Sequence, residues 1–329
     1  MTLATAKRPA GAAATPTAAA PQRRWRRHRP RTFYSFAAPW LIGFALLTLF
    51  PLAYAFWLSF TNYDGLAPKW GYVGVQNYER ALADPKTWSS LARTLVFVFL
   101  LVPATVGFGL FLAVLVNQRL PGRGAFRAIF FLPVVVPVVA AGFVFRMLFD
   151  RDTGATAAVL GWFGLGPVEW LADDKALIVM LLMILWRVGS SMVISLAALQ
   201  GVPQELLDAA AVDGAGSWRT FFRVTVPIMS PVLFFQVVNG AIDTLQIYLP
   251  ALLLSAAGQA RLDTVPGEGL YIYMVHVYTQ AFAKGDLGYA SALLWLLTAI
   301  TLIYTALVFR FSRRFVYYEA GPSDEEGRR

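Results

Sequence analysis

Four polar side chains recur at helical spacing within an otherwise apolar stretch. Gln236, Asn239, Asp243 and Gln246 follow i, i+3, i+7, i+10 and so share one helix face. Neutral hydrogen-bonding groups beside a single carboxylate suit a polyhydroxylated solute passing along that face. An ionisable residue held at membrane depth is costly and turns toward the bundle interior or water. The same four residues also suit a second role, as polar glue between helices. Thr298, Thr301 and Thr305 form a milder stripe on another apolar run, and a single charge, Arg187, interrupts a third. For Arg187 the sequence leaves open a pairing with Asp243, an interfacial anchor or a contact to another helix.

Residues able to make or break covalent bonds are scarce. The chain has no cysteine, which excludes disulfides, thiolate zinc sites, iron–sulfur clusters and cysteine nucleophiles. Its two histidines, His28 and His276, stand far apart and cannot form HExxH; each is expected to be solvated or interfacial. No Gly-Lys dipeptide occurs, so the phosphate-cradling GxxxxGK[ST] loop is absent, as are GxSxG and GxGxxG. Asp173-Asp174 reads as loop charge. The expectation is a chain that is no enzyme and binds no metal or cofactor of its own.

Residues 202–231, VPQELLDAAAVDGAGSWRTFFRVTVPIMSP, have a different character. Pro203 is suited to open a helix, because it lacks only an amide that would be unpaired there. Gln204 to Val212 are good helix formers, with Leu206, Ala209 and Ala210 on one face and Glu205 and Asp208 beside it. Asp213-Gly214 should end this helix, since glycine accepts the positive φ of a helix stop. Ser217 is expected to cap a second helix, 218–225, and Pro227 to lie near the start of the next apolar run. The predicted product is a helix–turn–helix whose small alanines admit close approach and whose Glu205, Asp208 and Arg219 supply polar contacts. An amphipathic connector lying on lipid is the alternative; acidic residues and the lack of a lysine-rich face oppose it.

This segment resembles the EAA loop of binding-protein-dependent ABC permeases: an acidic-Ala-Ala triplet, then Asp-Gly-Ala two residues later, an aromatic residue and a proline. The matching positions are Asp208, Ala209, Ala210, Asp213, Gly214, Ala215, Phe221 and Pro227, with Asp208 standing where glutamate is usual. Phe60-Thr61-Asn62-Tyr63, Gly74-Val75-Gln76-Asn77-Tyr78, Gly288-Tyr289-Ala290-Ser291-Ala292 and Arg313-Arg314 are similar to elements of the carbohydrate-uptake (maltose/glycerol-3-phosphate-type) subfamily. Ser255-Ala256-Ala257-Gly258-Gln259 departs from the subfamily's Thr-Gly-Gly-Pro element. The resemblance implies an all-α, six-helix type I importer permease whose loop is a coupling helix seated on an ATPase. It further implies ATP and Mg on two separate ATPase subunits, a second permease subunit (a paralogue), and an extracytoplasmic solute-binding protein. A sugar or related polyhydroxylated solute is the implied cargo. Amino acids, peptides or polyamines are the alternative within transport, and a membrane-embedded enzyme or scaffold docking a cytoplasmic partner the alternative outside it.

The elements that must position these residues are legible as apolar runs. The chain is 57% hydrophobic and 14% charged, against roughly 25% charge in soluble domains, and its mean hydropathy is +0.57. Crossing a bilayer takes ~20 apolar residues. Spans are expected at about 36–60, 94–116, 128–149, 176–200, 224–254 and 287–311, with the coupling loop at 202–223. The first run is too long for a signal-peptide core and reads as a retained anchor. Residues 1–35 hold eight Lys/Arg and no Asp or Glu in an Ala/Pro-rich context, which reads as a disordered tail held near anionic lipid rather than as a nucleic-acid arm. Residues 312–329 form a second tail. The segments on the side of the tails and coupling loop carry 18 Lys/Arg and the opposite ones eight, which places both termini in the cytoplasm of a bacterial cell.

Overall fold

The computed structural model describes residues 30–65, 70–118, 121–172, 175–255 and 267–312. The tail up to residue 29 with His28, the Asp173-Asp174 pair, residues 256–259 of the departing element, and the tail from 313 lie outside the described residues.

The chain divides into two compact units, residues 1–52 and 53–329. In the first, α1 (Pro30–Phe44) passes through a π turn (Ala45–Leu49) into the start of α2 (Phe50–Leu58), the rest of which belongs to the second. Together they give an apolar helix, Tyr34–Leu58, of 25 residues. At 1.5 Å per residue that is ~37 Å, enough to cross ~30 Å of hydrocarbon.

The second unit holds α3 (Gln76–Ala83), α4 (Pro85–Asn117), α5 (Arg123–Val135), α6 (Val138–Leu148), α7 (Ala155–Trp162), α8 (Lys175–Trp186) and α9 (Gly189–Gln200). After them come α10 (Gln204–Val212), α11 (Ser217–Thr220), α12 (Val226–Leu245), α13 (Leu249–Ser255), α14 (Tyr273–Tyr278) and α15 (Leu287–Ser312). Helix α4 starts nine residues before the expected span. Asp84 accepts from the Lys86 N–H at 2.9 Å and Pro85 occupies the first turn, so the local capping signal sets the start rather than the apolar run.

Among the described residues four helices are long and apolar enough to cross a membrane, or six if each of two bent pairs is one span. The bends are 97° between α5 and α6 and 48° between α8 and α9. Pro137 explains the first: the residue before a proline is pushed from the helical region, and Val136 sits at ψ 126°. The expected span 224–254 is likewise not one helix; α12 stops at Leu245 and α13 is separate.

Arg187, at the second bend, resolves its open alternatives. Its guanidinium donates to the carbonyls of Val136 and, at 3.3 Å, Val134. Those are carbonyls at the C-terminal end of α5, where no following turn supplies amides. One bend thus carries the donor that satisfies the other, which is how broken helices survive in lipid.

Two apolar clusters anchor the unit at the end where α4 begins. Phe97, Phe145, Met180, Met183, Leu254 and Ile272 join α4, α6, α8 and α13 in one; Leu245, Tyr273, Val277, Tyr289 and Leu293 join α12, α14 and α15 in the other. Large apolar side chains such as Phe99 and Met147 are exposed. In water they would be an aggregation hazard; around a bundle in lipid they face their natural solvent. The Gly74–Tyr78 element has a structural role, because Asn77 Nδ2 donates to the carbonyls of Ser59 at 2.9 Å and Thr61 at 2.8 Å.

His276 departs from expectation. Instead of being solvated it is fully buried on α14, outside the apolar spans. Tyr271 Oη lies 2.9 Å from Nδ1, Thr87 Oγ1 3.5 Å from Nε2, and an Asp84 carboxylate oxygen 3.8 Å from Nε2. Burial pushes the imidazole down to about 4, against the opposing pull of Asp84. No local signal reveals this, since the partners on α4 stand some 190 residues away in the chain.

Candidate functional site

The segment 203–227 begins as expected and ends differently. Pro203, at φ −59° and ψ 128°, is the residue before the first helical position rather than that position itself, and α10 follows from Gln204 to Val212. Asp208 accepts from Gln204 Nε2 at 3.0 Å. The helix closes in a Schellman arrangement: the Gly214 N–H donates to Ala211 O at 3.1 Å and the Ala215 N–H to Ala210 O at 2.9 Å. Gly214 has φ +71°, and a Cβ placed there would meet nothing within 4 Å. Backbone conformation, not crowding, requires the glycine.

Two expectations fail in the second half of the loop. Ser217 caps nothing: it is the first residue of α11, preceded by Gly216 in extended conformation, with no side-chain capping bond. Nor is there a separate helix 218–225, because Ser217 to Leu245 is one helix that takes a π turn at Phe221–Thr225. The Val226 N–H reaches back five residues to Phe221 O. Pro227 has no N–H to continue the ordinary register, and a widened turn lets the helix pass it.

Glu205, Asp208, Ala209, Asp213 and Gly214 are exposed, Ala215 and Phe221 are half-buried, and Ala210 is buried against the turn. Large apolar side chains are exposed beside them: Val212 at 88%, Trp218 at 77% and Leu206 at 46%. The Trp218 and Phe222 rings stack with centroids 5.8 Å apart. Ser217, Trp218, Phe221 and Phe222 share a cleft of about 520 Å³ with Leu110, Val114 and Gln118 of the α4 terminus. The loop therefore sits at the end of the bundle where α4 finishes, opposite His276.

The polar face of α12 divides. Asn239, Asp243 and Gln246 are exposed, with Asn239 Nδ2 donating to Phe235 O at 2.9 Å. Gln246 borders a cleft of about 260 Å³ with Thr298 and Thr301 of α15, so the two expected stripes meet there. The threonine hydroxyls donate to carbonyls one turn back, Thr298 to Leu294, Thr301 to Leu297 and Thr305 to Thr301, which leaves their oxygens as acceptors. Gln236 is buried against α9 and hydrogen-bonded to Ser191 and Ser195. The sequence does not single out those serines, since nothing in the apolar run shows which helix they would face. Arg187 is bonded to the α5 carbonyls. Among the described residues no group of three or more His, Cys, Asp or Glu is placed to hold a metal ion.

Comparison with known proteins places the chain in a family. The family described as binding-protein-dependent transport system inner membrane component matches residues 105–317. The probable ABC transporter permease protein YesP of Bacillus subtilis (strain 168) is 36% identical over 87% of this chain and 92% of its own length. The arabinooligosaccharides transport system permease protein AraP of Halalkalibacterium halodurans is 30% identical over 84% and 88%. The trehalose/maltose transport system permease protein MalF of Thermococcus litoralis is 28% identical over 85% and 93%. A solved bacterial ABC transporter involved in the import of the acidic polysaccharide alginate shares the fold, with a TM-score of 0.76 and 19% identity over 88% of this chain and 97% of that one. The helical loop, the apolar spans and these likenesses agree: the chain is a multi-pass membrane protein and belongs to the family of inner-membrane components of binding-protein-dependent transport systems.

Proposed function

We propose that this chain is the translocating subunit of an importer that carries a sugar or related polyhydroxylated solute across the bacterial cytoplasmic membrane. ATP, with Mg, is hydrolysed on two partner ATPase subunits, one of which docks on α10 and the turn after it, on the cytoplasmic side. The exposed contact set is Glu205, Asp208 and Ala209, with Asp213 and Gly214 fixing the turn. A second permease subunit completes the pore, and an extracytoplasmic solute-binding protein delivers the cargo.

The observation that carries the proposal is continuity. The second half of the loop, from Ser217, passes without a break into the helix bearing Asn239 and Asp243, with Gln246 just past its end, and α10 joins it through the Gly214 turn. A displacement applied at α10 therefore reaches the polar face through one short turn and a continuous helix, as alternating access requires. The Gln246 amide and the Thr298 and Thr301 oxygens at the cleft offer donors and acceptors for sugar hydroxyls. Sugar cargo is supported by the relatives' names, which specify arabinooligosaccharides and trehalose/maltose, and by a neighbouring structure in complex with an alginate pentasaccharide-bound periplasmic protein.

The test is uptake of labelled oligosaccharides by proteoliposomes holding the assembled complex, for wild type, Asn239→Leu and Asp243→Asn. The proposal expects a weaker apparent affinity or slower turnover in both variants. Unchanged values in both would remove α12 from the solute's path.

A further inference from the structure

Gln236 shares the helical face of Asn239 and Asp243 by angle alone. Its side chain is 8% exposed and its amide engages two hydroxyls on a different helix. Ser191 Oγ donates to Gln236 Oε1 at 2.5 Å, and Gln236 Nε2 donates to Ser195 Oγ at 3.0 Å. Ser191 and Ser195 stand one turn apart on α9, and Ser195 is fully buried. Helix α4 also approaches closely here: Ser191 Oγ lies 3.2 Å from the Thr105 carbonyl, and a Cβ at Gly109 would fall 2.3 Å from that hydroxyl. Apolar side chains of α4 and α9, among them Leu112, Met192 and Leu196, surround it.

Position in the chain gives the network its meaning. Helix α9 ends at Gln200 and α10 starts at Gln204, so α9 is the helix that enters the loop; α12 is the helix that leaves it. We infer that Gln236 is a positioning residue that clamps the entering helix to the leaving helix. Thrust received at α10 then moves both helices, and the Asn239–Asp243–Gln246 face, as one body. Glutamine suits the task because its amide offers a donor and an acceptor together. Two bonds to hydroxyls one turn apart fix both the rotation and the height of α12 against α9, whereas one bond would leave a pivot. Hydrogen bonds in such an apolar setting are stronger than in water. The inference rests on the proposed reading that the loop receives ATP-driven movement.

Leucine at 236 keeps the volume, and the freed serines have their own preceding turn to bond to, so Gln236→Leu should fold. The assembled complex with ATPase and binding protein is reconstituted with Gln236→Leu, and in parallel with Ser195→Ala, and solute moved per ATP hydrolysed is measured. The clamp predicts a drop of about tenfold for Gln236→Leu, the scale of two interhelical hydrogen bonds, with a smaller drop for Ser195→Ala. The apparent KM for solute should not change. A merely structural role would lower transport and hydrolysis together. Because the chain has no native cysteine, Gln236→Cys/Ser195→Cys joined by a short bifunctional thiol reagent gives a second reading. The joined pair should recover coupling that the unjoined pair lacks.

Normal coupling in both single variants overturns the clamp, as does a changed KM with coupling intact, or a block of transport on joining the helices. If Gln236→Leu does not assemble, Ser195→Ala and the joined pair decide by the same criteria. Failure of the underlying reading looks different: wild-type transport would itself proceed without ATP hydrolysis.

Discussion

Replacing Arg187 by methionine is predicted to weaken the fold without touching Asp243. The guanidinium donates to the carbonyls of Val136 and Val134, at the point where α5 ends and α6 turns away by 97°. Methionine retains the packing of the stem but offers no donor. The loss is then two charge-assisted hydrogen bonds and the desolvation of two carbonyls left at a helix end. Interhelical bonds in bilayers average about 0.6 kcal/mol with a maximum near 1.7, and bonds to charged groups reach about 1.5–3, so the pair should be worth about 2–4 kcal/mol. Arg187→Lys, a point donor without the fork, should fall in between. The assay is reversible unfolding in mixed detergent micelles, followed by helicity and tryptophan fluorescence, for wild type, Arg187→Met, Asp243→Asn and the double variant. Additivity is expected, because the two residues share no contact. Wild-type stability in Arg187→Met, or a coupling of more than about 1 kcal/mol with Asp243, would refute the reasoning.

Three further outcomes follow from the structure. At Gly214, with φ +71°, a β-branched residue costs about 1–2 kcal/mol or more; Gly214→Val should weaken co-purification of the ATPase, while Gly214→Asn, which tolerates the left-handed region, should retain most of it. His276 is held at about 4 against 6.5 when unfolded, so the unfolded chain takes up the proton first as pH falls. Stability should accordingly drop by about 3 kcal/mol between pH 6.5 and 4 and level off below, a slope that detergent-unfolding titrations should show and that His276→Gln should remove. Gly109→Ala, whose Cβ would fall 2.3 Å from Ser191 Oγ, should destabilise by about 1–3 kcal/mol in the same unfolding assay, whereas Gly107→Ala, with nothing within 4 Å, should not.

What the sequence made legible was set by rules that act within a few residues. The stop at Asp213-Gly214 is one, since a run of helix formers followed by glycine leaves the chain little choice. The apolar runs are another, because bilayer thickness fixes their length. The 97° bend at Pro137, inside the expected span 128–149, is not, because a proline in an apolar run does not tell a mild kink from a break. What stayed hidden depends on residues far apart in the chain. Periodicity put Gln236 on a face but could not say that Ser191 and Ser195 would lie opposite it. Arg187 finds its carbonyls 51 and 53 residues back, and His276 finds a dry pocket made by residues on α4. The second half of the loop was missed for a subtler reason. Ser217 and Pro227 both signal a boundary, yet a π turn carries the helix through it, and only three-dimensional continuity reveals that residues 217–225 and α12 are one rod.

The central claim is that ATP hydrolysis on a partner drives sugar through this chain by way of the 204–220 loop. Its most direct test is uptake of a labelled oligosaccharide into proteoliposomes containing the chain, its ATPase, its permease partner and the solute-loaded binding protein, with ATP or a non-hydrolysable analogue supplied on the loop side. Accumulation with ATP and none with the analogue is predicted. Equal uptake in both, or uptake that persists when the ATPase is omitted, would contradict the account.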